Sequence, residues 1–218
     1  MTRTRTTGAW AAAALLLALT GCTGGGEPEA TSEAVPQLSE DELAAVLTGI
    51  QFVPDQYDGT QEMLDSIYPG LTATDASCLA PFGLGWDEDE TLDDSEVEFG
   101  TSNDRSMTSV VASTGDADVA SSLVADAEDA LERCADGSDL FAMQGEPVRT
   151  TVEQTEPALT GTDDAVGWTV TGDVGGSPFT LVGITARVGG NVVALVGWDP
   201  ATNESYVPQA TQIFVDEL

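Results

Sequence analysis

The side chains of this sequence that could do chemistry are almost all carboxylates. The chain has 38 Asp and Glu against six Arg, with no Lys and no His. The absence of His removes the usual general base, the Ser–His and Cys–His pairs and His metal sites, and the absence of Lys removes Schiff-base chemistry. Glycosidase-type catalysis needs one defined carboxylate pair, and the spacing of these acids selects none. No P-loop, dinucleotide fingerprint or nucleophile elbow is present. The chain is therefore predicted not to be an enzyme, and no cofactor is expected.

The densest group of acids lies between residues 87 and 98. Asp87, Glu88, Asp89 and Glu90 are consecutive, and four more acids follow by position 98. Hard oxygen ligands suit Ca²⁺, but the run lacks the spaced acids and the glycine of an EF-hand loop. An exposed, solvated loop is the favoured interpretation, and weak divalent-cation binding is the alternative. No metal ligand is assigned.

The first cysteine ends a targeting segment. Arg3 and Arg5 form a basic start, residues 11–19 form an apolar run too short to cross a bilayer, and residues 19–22 (LTGC) resemble a bacterial lipobox. We expect residues 1–21 to be a removed signal peptide and Cys22 to carry acyl chains such as palmitate, which together give stable anchoring. The alternative is an ordinary secretory signal with a free Cys22. Either interpretation predicts an extracytoplasmic protein, and the lipoprotein one predicts attachment to the cell membrane.

The rest of the chain divides into a linker and one domain. Residues 22–38 comprise the lipidated cysteine and a stretch rich in Gly, Pro, Glu, Ser and Thr, which is typical of a flexible tether. Residues 39–218, about 180 residues, suffice for one domain with a sizeable core. Cys78 and Cys134 remain as an even pair, and such a pair in an oxidising compartment usually forms a disulfide.

The charge balance limits the choice of partner. The formal net charge is −32, and loss of Arg3 and Arg5 with the signal peptide makes it two units more negative. Nucleic acid is excluded because phosphate binding needs a basic surface. Anionic lipid is also disfavoured, so the acyl chains would have to hold the protein on the membrane. Cationic ligands, metal ions and basic envelope components are attracted, and salt should screen the self-repulsion.

Local patterns predict the elements that carry these residues. Ser39 and Glu42 form a capping box before a helix at about 40–48. The clearest helix covers residues 116–134, where an apolar stripe turns the Cys134 thiol toward the core. The remaining expectations are a helical turn at 61–67, a short helical segment around Cys78, strands near 96–100, 105–113, 148–152, 166–172, 178–188 and 191–198, hairpins at residues 175–176 and 189–190, and a closing helix at 203–218.

This order predicts an α+β fold. We expect an antiparallel β-sheet meander with helices packed mainly on one face, in a single domain with one disulfide.

Several of these features together resemble a known family. After Cys78 come VVAS at 110–113, the helix ADVASSLVADAEDALERC ending at Cys134, a tryptophan strand and the hairpin VGGNVVAL. The pattern is similar to the extracellular sensor domain of mycobacterial PknH-type serine/threonine kinases, which stand-alone actinobacterial lipoproteins also carry. The resemblance covers about residues 39 to 216. It implies an antiparallel sheet and a cleft for an unidentified ligand.

The chain departs from that family at one point. Members typically have a second disulfide in the late hairpin region, but residues 184–186 and 197–198 contain no cysteine. We expect apolar packing by Val182, Ile184, Val196 and Trp198 to replace it. Any signal would also need a partner protein, since no kinase segment is present.

The cleft candidates are Trp168, Trp198 and Arg187. Each Trp shares the phase of apolar neighbours on its strand, so core packing is the alternative to lining a cleft. For Arg187 the alternatives are a local salt bridge and anion capture. The sequence thus predicts a non-catalytic, lipid-anchored ligand-binding or sensor domain. The alternative function is an acidic envelope protein–protein interaction module, with a Ca²⁺-dependent version of the same module as a further alternative.

Overall fold

Nine antiparallel strands and four α-helices make up the described part of the chain. The computed structural model describes residues 35–54, 57–67, 70–72, 75–135, 137–143, 146–198 and 203–218. The predicted signal peptide, Cys22 and the tether up to residue 34 lie outside these residues. Among the described residues, no helix is both long and apolar enough to cross a membrane.

The helices are α1 (Glu40–Gly49), α2 (Thr60–Ile67), α3 (Ala117–Arg133) and α4 (Asn203–Glu217). A 3-10 segment (Ala76–Phe82) and two short 3-10 turns (Trp86–Glu88 and Glu90–Leu92) lie between α2 and the main strands. The strands are β1 (Phe52–Val53), β2 (Leu71–Thr72), β3 (Glu96–Ser102), β4 (Met107–Ser113), β5 (Gly137–Met143), β6 (Glu146–Thr155), β7 (Asp164–Val174), β8 (Ser177–Val188) and β9 (Asn191–Gly197). They form one sheet in the order β1-β3-β4-β9-β8-β7-β6-β5-β2.

Two Gly-Gly turns organise the centre of this sheet. Gly175 and Gly176 have φ of 62° and 89°, and Gly189 has φ of 59°. Tight hairpin turns need this left-handed backbone, which glycine adopts without a Cβ clash. The turns set β7 against β8 with Val174 opposite Ser177, and β8 against β9 with Val188 opposite Asn191. Both predicted hairpins are confirmed.

Helices cover both faces of the sheet. Successive strand residues point to opposite faces. Val110 and Ala112 therefore pack with α3 and the 3-10 segment, whereas Val111 packs with α1 and α4. The antiparallel sheet, the single domain and the disulfide agree with the predicted fold class. The distribution of helices is more even than the expected packing mainly on one face, because the central strands are apolar on both sides.

The predicted replacement for the second disulfide is divided between these two faces. Val182 and Ile184 pack on the α1–α4 side, while Val196 and Trp198 pack on the α3 side. All four side chains pack on apolar clusters, two on each face of the sheet. The reason is the register, which sets Val182 opposite Gly197 and Val196 opposite Gly183.

The folded contacts begin before residue 39. The backbone N–H of Val35 donates to Gly115 O at 3.3 Å, and that of Leu38 donates to Ser113 Oγ at 2.8 Å. Gln37 also donates through Nε2 to Asp94 O at 2.7 Å. Residues 35–38, assigned to the tether on composition, thus lie against the sheet end where α3 begins.

A candidate ligand-binding groove beside the disulfide

A groove of about 460 Å³ lies between α3 and the 3-10 segments. Its floor is apolar, and carboxylates form much of its rim. The lining residues are Ala76, Ser77, Ala80, Leu84, Gly85, Trp86, Glu88, Asp89, Leu123, Asp126, Asp129 and Arg133. Its volume falls in the range of about 300–1,000 Å³ that holds small molecules.

The disulfide joins the two walls at one end. Cys78, in the 3-10 segment, and Cys134, directly after α3, are bonded with Cα atoms 5.9 Å apart. Both cysteines are only 1% exposed. The predicted bridge is confirmed, and the helical stripe explains it, because it directs Cys134 into the core beside the segment that carries Cys78.

An ion pair and a hydrogen bond of Arg133 also join the two walls at the disulfide end of the groove. Arg133 Nη1 lies 3.0 Å from Asp75 Oδ2, and its Nη2 donates to Ser77 Oγ at 3.0 Å. Asp75 also caps the 3-10 segment by accepting from the hydroxyl and backbone N–H of Ser77. These Ser77 hydrogen bonds are the main cause of the lowered pKa of Asp75, and Arg133 adds to them. The one cation among the lining residues, on the α3 wall, is therefore already neutralised by an acid of the 3-10 wall.

The apolar floor is built from residues of both walls. Leu84 and Trp86 are each 3% exposed and Leu123 is 2% exposed. The chain bends at Gly83, three residues before Trp86. Gly83 has φ of 70°, and a Cβ at this position would lie 2.6 Å from Val110 Cβ, so the bend requires glycine. The bend allows Trp86 to reach the groove.

Negative charge is concentrated where Asp126 and Asp129 of α3 meet Asp89 of the 3-10 turns. Asp126 and Asp129 are one helical turn apart on α3, so their side chains are neighbours on its surface. Asp89 approaches from the 3-10 turns, where its carboxylate also accepts from the N–H of Thr91 at 2.8 Å. Partial burial raises the pKa of Asp126, and repulsion by Asp89 and Asp129 raises it further. A positive charge placed here would relieve that repulsion.

The three predicted cleft residues lie outside this groove. Trp168 is 1% exposed and stacks at a tilt on Phe82, with ring centroids 4.8 Å apart. Its ring fills the space above Gly183. It is a core residue, in agreement with the alternative offered for it. Trp198 is half-buried at the end of β9 and packs on the edge of the same core.

Arg187 makes local contacts at the other end of the sheet. Its Nη1 lies 3.4 Å from Asp163 Oδ2 and 3.0 Å from Gly189 O. The local salt bridge offered as one alternative is thus present. Arg187 is opposite Val192, near the start of β9, and Trp198 follows the end of that strand. The two side chains therefore do not share a site.

The acidic run of residues 87–98 is only partly an exposed loop. Its first part forms the two 3-10 turns, and Glu96 and Glu98 belong to β3, where Glu98 is buried. Asp87 caps α2 by accepting from the backbone N–H and the hydroxyl of Thr60. Asp87 and Asp89 accept hydrogen bonds from Thr60 and Thr91, respectively, and among the described residues no three potential ligands are grouped to hold a metal ion.

Sequence reasoning missed the groove itself. It singled out the later tryptophans and overlooked Trp86, Leu123, Asp126 and Asp129. A signal was available, because the predicted bridge already places the chain after Cys78 alongside the end of α3.

A second, more open depression of about 420 Å³ lies between α3 and the β6–β7 side of the sheet, lined by Glu128, Gln154, Thr155, Glu156, Ala165 and Val166.

Comparison with known proteins finds similarity to solved structures. No protein-family model matches the chain, and no curated protein matches it. Among solved structures, it is similar to the extracellular domain of PknH from Mycobacterium tuberculosis, at 14% sequence identity and a TM-score of 0.46, over 83% of this chain and 91% of that one. The domain type noted in the sequence is thus among its structural neighbours.

Proposed function

We propose that this chain is a lipid-anchored, extracytoplasmic, non-catalytic binding domain whose ligand occupies the groove between α3 and the 3-10 segments. The observation that carries the proposal is the groove of about 460 Å³ with an apolar floor, held at one end by the Cys78–Cys134 bridge and the Arg133–Asp75 pair. Two covalently joined walls give a preformed cavity, which lowers the ordering cost of binding.

The proposed location rests on two features of the cysteines. Residues 19–22 form the lipobox-like sequence, and the remaining two cysteines are bonded. Disulfides persist mainly in oxidising compartments, so the bridge supports an extracytoplasmic domain. Replacement of the lipidation site tests the anchor. A Cys22→Ser chain should leave the membrane fraction, whereas Cys78→Ser/Cys134→Ser should stay there; a Cys22→Ser chain that remained membrane-bound would refute the anchor.

Blocking the groove tests the proposed binding site. Ala76 is exposed at the groove mouth, so Ala76→Trp should fill the mouth without disturbing the core. Ala45→Trp, at an exposed position of α1, is the matched control. Native mass spectrometry of protein purified from its own envelope should show a retained small molecule in the wild type and in Ala45→Trp, and none in Ala76→Trp.

The same experiment separates the alternative function. An acidic interaction module would bind a basic partner protein through its general surface charge, which Ala76→Trp leaves unchanged. Co-purification of such a partner with both variants, with no small molecule in the wild type, would favour the interaction module. Calorimetry with Ca²⁺ tests the divalent-cation version of this alternative, and heat of binding abolished by Asp89→Asn would support it.

A further inference from the structure

The two kinds of surface in the groove restrict the chemistry of its ligand. The floor of Leu84, Trp86 and Leu123 is apolar, and since each side chain is only 2–3% exposed, it presents a narrow edge to the groove, beside Ala76 and Ala80. Such a lining suits the contact of a hydrocarbon or aromatic body. A bare metal ion makes no use of such a floor. A purely polar ligand would gain no free energy from contact with the apolar floor.

The charges on the rim select the sign of the ligand. Four of the lining side chains are carboxylates, namely Glu88, Asp89, Asp126 and Asp129, and one is the guanidinium of Arg133. Arg133 already forms an ion pair with Asp75 and donates a hydrogen bond to Ser77 Oγ. No hydrogen-bond donor among the described residues meets the carboxylates of Asp126 and Asp129, so these two are available to a ligand on the α3 rim. An anion would face uncompensated repulsion at this rim.

We propose, on the basis that the groove is the binding site, that its ligand is an organic cation: an ammonium or guanidinium group on an apolar body, with the charge at Asp126 and Asp129 and the body on Leu84, Trp86 and Leu123. The net charge of the whole chain attracts any cation to the surface. The groove adds the discrimination, because only an amphiphilic cation satisfies the rim and the floor together.

Proton linkage supports this assignment. Asp126 has a raised pKa because burial and the neighbouring Asp89 and Asp129 disfavour its charged form. The other charged groups that line the groove are Glu88, in the first 3-10 turn, and Arg133, on α3 itself. A bound cation stabilises the ionised carboxylate, so affinity should increase as the pH rises through the raised pKa of Asp126, and binding below that pKa should be accompanied by proton release.

The test compares three molecules that share one body. The mature chain in zwitterionic nanodiscs is titrated with 4-phenylbutylammonium, with neutral 4-phenylbutanol and with anionic 5-phenylpentanoate. Isothermal calorimetry measures the dissociation constants, and tryptophan fluorescence reports occupancy, with Trp86→Phe assigning the signal to the groove. The ammonium should bind at least tenfold more tightly than the alcohol, and the carboxylate should not bind.

Charge-neutral variants localise the effect. Asp126→Asn and Asp129→Asn should each weaken ammonium binding about fivefold, the upper range for a partly solvated ion pair, and should leave alcohol binding unchanged. Asp118→Asn makes the same charge change on the first turn of α3, away from the groove, and should alter the constant less than twofold. An equal loss in Asp118→Asn would show that the general field binds the cation, and would overturn the proposal.

The outcomes separate the ligand class from the proposed function. Equal binding of the ammonium and the alcohol, abolished in both cases by Ala76→Trp, would overturn the cation assignment and leave the groove as the binding site. Failure of the ammonium to bind, together with envelope-purified protein that carries no small molecule, would overturn both.

Discussion

At the scale of single residues, position within the groove matters more than residue type. Asp126 is one of 38 acids, and only its neighbours distinguish it. It remains accessible to solvent, yet surrounding atoms remove part of the water near its carboxyl group while Asp89 and Asp129 add repulsion. Its charge is therefore slightly unfavourable to the fold and suited to a cationic ligand.

Neutralising this residue should stabilise the free protein. The folded-state pKa of Asp126 is raised, so its ionised form costs stability at pH values above that pKa. Asp126→Asn should raise the free energy of unfolding at pH 7 by up to about 0.5 kcal/mol, since solvent screens the repulsion. The gain should shrink as the pH falls through the raised pKa and vanish below the unfolded pKa of about 4.

Urea unfolding at several pH values measures this effect. Asp118→Asn is the control with the opposite expected sign, because Asp118 lies in the first turn of α3, where the helix dipole favours a negative charge. A stability gain of equal size in Asp118→Asn would mean that net charge, and not the local environment of Asp126, causes the effect.

Trp168 packs directly over Gly183, where an added Cβ would have the shortest contact of any described glycine. A Cβ at Gly183 would lie 2.7 Å from Trp168 Cη2 and still closer to Cζ2. Gly183→Ala should destabilise the protein by about 1–3 kcal/mol, the usual range for overpacking. Gly49→Ala, where no atom lies within 4 Å of the added Cβ, should be neutral or stabilising. In chemical denaturation, part of the loss should be recovered in Gly183→Ala/Trp168→Leu, and absence of recovery would contradict the steric explanation.

At the scale of elements, side chains distant in sequence complete local structure. The acidic run looked like one solvated loop, but Asp87 caps a helix 27 residues earlier in the chain through Thr60. The 3-10 segment is likewise joined to α3 across a separation of 56 residues by the disulfide. The first link ties α2 to the 3-10 turns, and the second ties the 3-10 segment to α3, so both fix the 3-10 wall of the groove.

Removing the Asp87 cap should cost more than removing another acid of the same run. Asp87→Ala leaves the Thr60 N–H and hydroxyl without their acceptor, so we expect a loss of about 1 kcal/mol in unfolding free energy. Asp93→Ala removes an exposed acid of the run and should change stability by less than 0.5 kcal/mol, the usual limit for such surface sites. Thermal and urea unfolding of the two variants side by side distinguish capping from a change in net charge.

At the scale of the whole molecule, negative charge dominates. A formal net charge of −32 opposes compaction through long-range repulsion, which dissolved ions reduce. The melting temperature should therefore rise between 0.02 and 0.5 M NaCl at pH 7. The rise should be smaller at pH 4, where many carboxylates are protonated. A melting temperature independent of salt at pH 7 would show that the repulsion does not limit stability.

The predicted elements agree with the structure where the signal was local. The stripe of α3, the capping box of α1 and both Gly-Gly hairpins depend on residues within a few positions of one another. The short edge strands β1 and β2 were not predicted, nor was β5. Their pairing is decided by partners far along the chain, such as Phe52 opposite Ser102.

One whole-molecule signal was present and overlooked. The strand NVVALVG at residues 191–197 is a continuous apolar run, which is typical of a strand buried on both faces. It could have indicated that helices cover both sides of the sheet. The alternating pattern of β7, by contrast, indicates a strand with one buried face, and it is this pattern that made the tryptophans candidates for a cleft.

The sequence by itself determined the lipobox-like stretch at residues 19–22, the presence of Cys78 and Cys134, the negative charge and the exclusion of His and Lys chemistry, because these properties depend on residue type and near neighbours. Only the tertiary structure decided that Trp86 and Leu123 share a floor, that Asp89 faces Asp126 and Asp129, and that Arg133 is occupied by Asp75. The physical reason is that a site depends on which side chains converge in space. Here that convergence is created by the disulfide, the turn at Gly83 and the packing of α3 on the sheet, all of which join distant parts of the chain.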